Sequence, residues 1–288
     1  MYSEFLPRIW AGDILNNGFK YNDSIMSKFK DKLINSCKSS NSFVCVGLDP
    51  DPNKITSGSV LDFCKYIVDS TSDVVAAYKP NLAFFEALGL EGLTSLKNLV
   101  DYIHKEYPEK LTIGDAKRGD IGSSSAKYAS ALFEYWGFDS VTVNAFAGKD
   151  SIDPFLQYKD KGVFIWCKSS NADGPQIQGE FDTESQNSAL FERIAIFASE
   201  WNKNENIGLV VGATYPKDIY RVRKLSPGLP ILIPGVGSQE GSLSESVSAA
   251  SELSFPNFLI NSSRSIIYSS NPFQSSDILR KSINESLS

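Results

Sequence analysis

The chain has 288 residues, 42% hydrophobic and 22% charged, which is the composition of an ordinary globular protein. Its net charge of -6 excludes a nonspecific nucleic-acid binder, although a small anionic ligand would answer to local charge rather than to the total. No apolar run is long enough to span a bilayer, and Glu4, Arg8 and Asp13 interrupt any signal-peptide core, so no membrane association is expected. Cys37, Cys45, Cys64 and Cys167 form no CxxC pair or metal-type spacing; free thiols and a cytoplasmic location are expected. His104 is the only histidine and falls at a predicted helix end, which argues against a Ser-His-Asp triad or a multi-histidine metal site. Acid–base chemistry is then left to carboxylates and lysines.

Residues 1–23 are aromatic and Asn-rich with weak periodicity and read as an N-terminal arm, leaving 24–288 as one domain. Asp23 or Ser24 is placed to cap a helix running to about Cys37, with Phe29, Leu33 and Ile34 on one face. Phe43-Val-Cys-Val-Gly-Leu-Asp49 predicts a short buried strand that ends in an acid. A helix from Val60 to Ser70 precedes a strand over Val74–Lys79, and a helix from Leu93 to Tyr107 precedes the strand that ends at Asp115 and Lys117. Ser123–Trp136 reads as a helix, Ser140–Asn144 and Gly162–Cys167 as strands four and five with a helix between them, and Asn171–Gln186 as a mobile loop. Ser188–Trp201 is helical in pattern. Strands six to eight follow at Ile207–Val211, Ile231–Ile233 and Phe258–Ile260, with helices at Pro216–Leu225, Leu243–Leu253 and Phe273–Leu287.

Eight short apolar strands alternating with helices, at a spacing of roughly 30 residues, predict a parallel α/β sheet. Eight strands close a (β/α)8 barrel. Polar residues follow nearly every strand: Asp49, Lys79, Asp115, Lys117, Asn144, Lys168, Gly235 to Gln239, and Asn261 to Arg264. An open doubly wound sheet would gather such residues at a single crevice, so the barrel is predicted.

The stretch Leu111-Thr-Ile-Gly-Asp-Ala-Lys-Arg-Gly-Asp-Ile-Gly122 carries the densest chemistry. In a regular strand Asp115 and Lys117, two residues apart, project from the same face, with Asp120 at the turn beyond. Interleaved carboxylates keep lysines charged, and a charged lysine can serve as an acid toward an anionic intermediate. Asp49 and Asp115 could instead hold magnesium through oxygen, an arrangement that the neighbouring lysines disfavour. Across the barrel mouth, Pro234-Gly-Val-Gly-Ser-Gln239 and Asn261-Ser-Ser-Arg264 follow strands seven and eight, where barrels commonly bind phosphate through backbone N–H groups and an arginine.

Asp115-Ala-Lys-Arg-Gly-Asp-Ile-Gly122 resembles the signature of the orotidine 5'-monophosphate decarboxylase family. Val46-Gly-Leu-Asp49, Lys79-Pro-Asn-Leu-Ala-Phe-Phe-Glu86, Val211-Gly-Ala213, Pro234-Gly-Val-Gly237 and the Arg264 segment fall in that family's order, in versions similar to its longer bacterial-type branch. The resemblance implies a (β/α)8 TIM-barrel homodimer that converts orotidine 5'-monophosphate to uridine 5'-monophosphate without metal or cofactor, in a monofunctional chain. It implies that Lys117 donates the proton, that Asp115 faces the departing carboxylate and that Lys79 bridges the acids. Asp120 would enter the partner's site, followed there by Ile121 and Ser124. Asp49 and Asn81 would hold the ribose, Ser170 the pyrimidine edge, and Gly237, Ser238, Gln239 and Arg264 the phosphate. Serine stands at 124 and 170 where the family often has threonine, and the short loop after strand seven leaves part of the lid to residues 171–186. Two rivals remain: a magnesium-dependent keto-sugar-phosphate decarboxylase or hexulose-phosphate synthase of the same superfamily, and a noncatalytic nucleotide-phosphate-binding barrel.

Overall fold

Eight parallel strands close into a barrel in sequence order in the computed structural model, which describes residues 28–179, 189–236, 243–251 and 257–287. Helix α1 (Lys28–Ser40) precedes β1 (Val44–Leu48), and α2 (Val60–Thr71) leads to β2 (Ala77–Pro80). Helices α3 (Leu82–Glu86) and α4 (Gly89–Glu106) lead to β3 (Leu111–Arg118), and α5 (Gly122–Ser130) leads to β4 (Ser140–Val143). A single helical turn, α6 (Asp153–Leu156), connects to β5 (Gly162–Lys168), followed by α7 (Pro175–Gln178) and α8 (Leu190–Trp201). Then come β6 (Ile207–Val211), α9 (Pro216–Leu225), β7 (Ile231–Pro234), α10 (Leu243–Ala250), β8 (Phe258–Ser262), α11 (Arg264–Ile267) and α12 (Pro272–Leu287). The circle closes where β8 pairs with β1, placing Asn261 beside Cys45.

The strands are short and apolar because both faces are covered, the outer by helices and the inner by the facing strands. Every residue of β1, β4, β6 and β8 is buried. Helix ends follow local chemistry: Ser59 and Asp62 form a reciprocal capping box at the start of α2, and Pro216 occupies the first turn of α9, whose bounds match the prediction.

Several boundaries differ from expectation. The first helix runs on to Ser40, while its predicted start at Asp23 or Ser24 and the arm over 1–23 lie outside the described residues. The second strand begins at Ala77 because Ser72–Val74 form a tight 3-10 turn. The predicted 123–136 helix is regular only to Ser130 and ends in a wider π-type turn over Ala131–Tyr135. In the predicted 171–186 loop, the described part contains one helical turn, and 180–188 lie outside the described residues.

The base of the barrel is tied by charge as well as by packing. Phe29 of α1 meets Phe164 of β5 edge to face, and Ser36 donates to the Ala76 carbonyl. Asp139, just before β4, accepts from Lys32 Nζ at 2.8 Å, from the Thr112 N–H at 2.9 Å and from the Thr112 hydroxyl at 2.8 Å. His104 reaches the same pair, with Nε2 3.1 Å from Thr112 Oγ1 and 3.4 Å from Asp139 Oδ2, so the lone histidine serves the scaffold. All four cysteines are free and buried, and burial pushes the Cys37 and Cys45 thiols up to about 12, leaving them neutral.

Burial alone would raise the Asp139 carboxyl, but the His104 hydrogen bond and Lys32 outweigh it and hold it well below the usual carboxylate range. A carboxyl depressed in the folded state contributes stability above its ordinary pKa and loses it as pH falls through the folded value. Asp139→Ala is therefore expected to lower unfolding free energy by about 2–3 kcal/mol at pH 7. In urea melts that difference should persist down to about pH 4 and shrink below it. Equal stability of the two proteins at pH 7 would contradict this.

Candidate active site

The ends of β2 and β3 meet at the barrel mouth, and there a carboxylate lies between two ammonium groups. Lys79 Nζ is 2.8 Å from Asp115 Oδ2, and Lys117 Nζ is 2.6 Å from Asp115 Oδ1. Lys79 and Asp115 are buried, at 4% and 9% exposure, whereas 39% of the Lys117 side chain faces solvent. The cluster is graded, with a sealed inner lysine and an accessible outer one. Burial pushes the Asp115 carboxyl up, but Lys79 and Lys117 overcome this and hold it well below the ordinary range. Burial likewise works against the Lys79 ammonium, and Asp115 and Asp49 more than compensate, so Lys79 stays charged.

The predicted regular strand over residues 113–117 needs correction. β3 is in register with β4 at Gly114 and Val141, and again at Arg118 and Val143, so β3 bulges between the two pairs. Lys117 sits in the bulge with a left-handed φ of +47°. Its N–H donates to Thr142 Oγ1 at 3.0 Å, and the Thr142 hydroxyl donates to Asp115 Oδ1 at 2.8 Å. The far side is held where the Asn144 N–H donates to the Arg118 carbonyl at 2.8 Å. Glycine is required at 119, because a Cβ there would collide with the Asn144 carbonyl oxygen. Asp115 and Lys117 do meet, but through a bulge rather than through two-residue alternation.

Other predicted residues line the same mouth. Asp49 follows β1 with Oδ1 buried and without a hydrogen-bond partner among the described residues. Asn81 forms an isolated bridge with Asp115, and its side chain caps α3 by accepting from the Ala83 N–H. Ser170 is half-buried after β5, its backbone so close to Gly212 that a Cβ there would lie 2.6 Å from Ser170 Cα. Its neighbour Ser169 commits its hydroxyl to Asn171 Oδ1 at 2.6 Å. Arg264 is exposed on the first residue of α11, directly after β8. Gly237, Ser238 and Gln239 lie outside the described residues.

Asp120 stands apart. Among the described residues it makes no bond to Lys79, Asp115 or Lys117; its carboxylate accepts from the Ile121 N–H at 2.6 Å. Ile121 is 67% exposed, and Ser124 is half-buried on the first turn of α5. Lys168, expected at the mouth, is instead buried in the helix layer, 3.6 Å from Asp218 and over the rings of Phe191 and Tyr215. A register shift between Trp166 and Lys168 accompanies this.

Three groups at the mouth were missed in the sequence as individual site residues. Thr142 had a signal: Ser140, Thr142 and Asn144 alternate with Val141 and Val143, so one face of a buried strand is polar. Asn261 Oδ1 and Ser263 Oγ are buried without partners among the described residues, close to Gly47, whose missing side chain leaves room beside them.

The orotidine 5'-phosphate decarboxylase / HUMPS family is matched over residues 42–277. An orotidine 5'-phosphate decarboxylase of Leptothrix cholodnii is 45% identical over 256 residues, covering 84% of this chain and 89% of its own. That of Aromatoleum aromaticum is 44% identical over 235 residues, covering 79% and 85%. The structure of the Leishmania donovani OMP decarboxylase superposes with a TM-score of 0.81 at 35% identity, over 91% of this chain and 99% of that one. With its barrel and its Lys79–Asp115–Lys117 cluster, this chain belongs to the orotidine 5'-phosphate decarboxylase / HUMPS family.

Proposed function

We propose that this chain decarboxylates orotidine 5'-monophosphate to uridine 5'-monophosphate and carbon dioxide, the last step of de novo pyrimidine nucleotide synthesis. The observation that carries this reading is the buried Asp115 held between Lys79 and Lys117 at the mouth of a barrel whose relatives bear that name. The bond from the pyrimidine ring to the carboxylate breaks, carbon dioxide leaves and the electron pair stays on the ring carbon. Lys117 then gives that carbon its proton and is reprotonated from solvent. The nearby ammonium charge stabilises the carbanion as it forms, in a site already poised for it. Asp115 faces the departing carboxylate and raises the energy of the bound substrate. Lys79 keeps Asp115 ionised.

The remaining assignments belong to the same reading. Asp49 and Asn81 hold the ribose, Ser170 meets the pyrimidine edge, and Arg264 with Gly237, Ser238 and Gln239 holds the phosphate. Binding energy from these remote groups orders the charges at the reacting end. Asp120, Ile121 and Ser124 serve the site of a second copy in a homodimer, which is supported by the detachment of Asp120 from its own cluster and by the exposed Ile121. On this reading the decarboxylase domain comprises residues 24–288. Buried neutral thiols fit a cytoplasmic enzyme, and among the described residues no helix is long and apolar enough to cross a membrane.

Purified protein should consume orotidine 5'-monophosphate, followed by ultraviolet absorbance, at the same rate with and without a chelator. Loss of turnover in chelator with recovery on adding magnesium would contradict a metal-free mechanism; no turnover at all would overturn the reading. Lys117→Ala should lower kcat by at least about 10³-fold while uridine 5'-monophosphate binding stays within a few-fold. Mixing Lys117→Ala with Asp120→Ala protein should restore part of the activity, because one site of each hybrid dimer keeps both groups. Absence of recovery, with subunit exchange demonstrated by native mass spectrometry, would contradict the shared site.

A further inference from the structure

We propose that Thr142 is a positioning residue, whose single hydroxyl sets both the backbone of Lys117 and the carboxylate of Asp115 for proton transfer. This rests on the decarboxylase reading and extends it to a side chain outside the charge cluster. Thr142 is 1% exposed on β4, and its Oγ1 makes two bonds at once. It accepts the Lys117 N–H at 3.0 Å and donates to Asp115 Oδ1 at 2.8 Å. A hydroxyl has one hydrogen, so pointing it at Asp115 leaves its lone pairs for the Lys117 N–H. The two contacts are compatible and mutually orienting.

The backbone makes this necessary. Lys117 has a left-handed φ of +47°, which a lysine adopts only where its surroundings over-determine it. The bulge removes Lys117 from the regular β3–β4 ladder, and its N–H would have no strand partner without the threonine oxygen. The far end of the bulge is held separately, by the Asn144 N–H on the Arg118 carbonyl and by the absence of a side chain at Gly119. Thr142 holds the near end. On the carboxylate side, Asp115 Oδ1 receives Thr142 and Lys117 while Oδ2 receives Lys79, so the plane of the carboxyl is fixed by donors from three strands or loops. Removing the hydroxyl frees the Lys117 backbone to relax out of the left-handed region and frees Asp115 to turn toward Lys79. Either movement carries the Lys117 ammonium away from its aim. The threonine methyl adds a stiff χ1, which a serine would lack.

The test is steady-state kinetics on wild type, Thr142→Val, Thr142→Ala and Thr142→Ser, with uridine 5'-monophosphate affinity measured in parallel. Thr142→Val should lower kcat by about 100-fold, the scale of an ångström's misplacement, with KM and product affinity within about threefold. Thr142→Ser should keep kcat within about fivefold of wild type. If Thr142→Val does not fold, Thr142→Ala carries the same expectation. A hydroxyl-free variant within twofold of wild type would overturn the proposal, as would serine as damaging as valine, which would assign the role to packing. A parallel loss of product affinity would overturn it too, by making Thr142 a ligand contact. Wild type that turns over substrate while these variants do not differ sinks only the role of Thr142; wild type without turnover sinks the decarboxylase reading and this inference together.

Discussion

Asp115 is an ionised carboxylate taken almost wholly out of water, and the arrangement of the barrel mouth depends on keeping it charged. Desolvation of an ion costs several kcal/mol even after relaxation, so such a group survives only with close opposite charge and full hydrogen bonding. Lys79 supplies the charge from inside, Lys117 from outside, and Thr142 completes the set of donors. The requirement is mutual, because burial works against the charge on Lys79 and Asp115 and Asp49 beside it hold that charge. A site that must hold two cations against a substrate anion gains from having the counter-charge built in and fixed before the substrate arrives.

The barrel makes this possible by dividing labour between its two ends. At the base, Asp139 ties α1, α4 and the starts of β3 and β4 through Lys32, Thr112 and His104. At the mouth the same two strands depart from regularity, and β3 bulges so that Lys117 and Thr142 both donate to Oδ1 of Asp115. Stiff pairing below permits strain above. The acceptors of Asp49 and Asn261, at the ends of neighbouring strands and without partners among the described residues, continue the pattern, since groups left unsatisfied at a barrel mouth are available to a ligand.

Much of the fold was legible from residue pattern alone. Continuous apolar runs locate all eight strands within a few residues, because both faces of a barrel strand are buried and composition reports burial directly. The charge cluster was legible for a similar reason, as Lys79, Asp115 and Lys117 stand at strand ends where polar residues would otherwise be scarce. What escaped depends on register between strands. The Thr142 contact joins residues 25 positions apart, and the bulge that creates it has no local marker beyond Gly119. Lys168 reads the same as Lys79 in one dimension, yet its strand is out of step with β6 and its ammonium lies among helices instead of at the mouth. Side-chain direction at an irregular strand end is a property of the pairing and not of the strand.

A crystal structure with bound uridine 5'-monophosphate tests the account most directly. The ring carbon that loses the carboxylate should lie about 3–3.5 Å from Lys117 Nζ, a distance suited to proton delivery, with the phosphate beside Arg264 across the mouth. A nucleotide bound with its ring remote from Lys117, or with its phosphate turned toward Lys79 and Asp115, would contradict it.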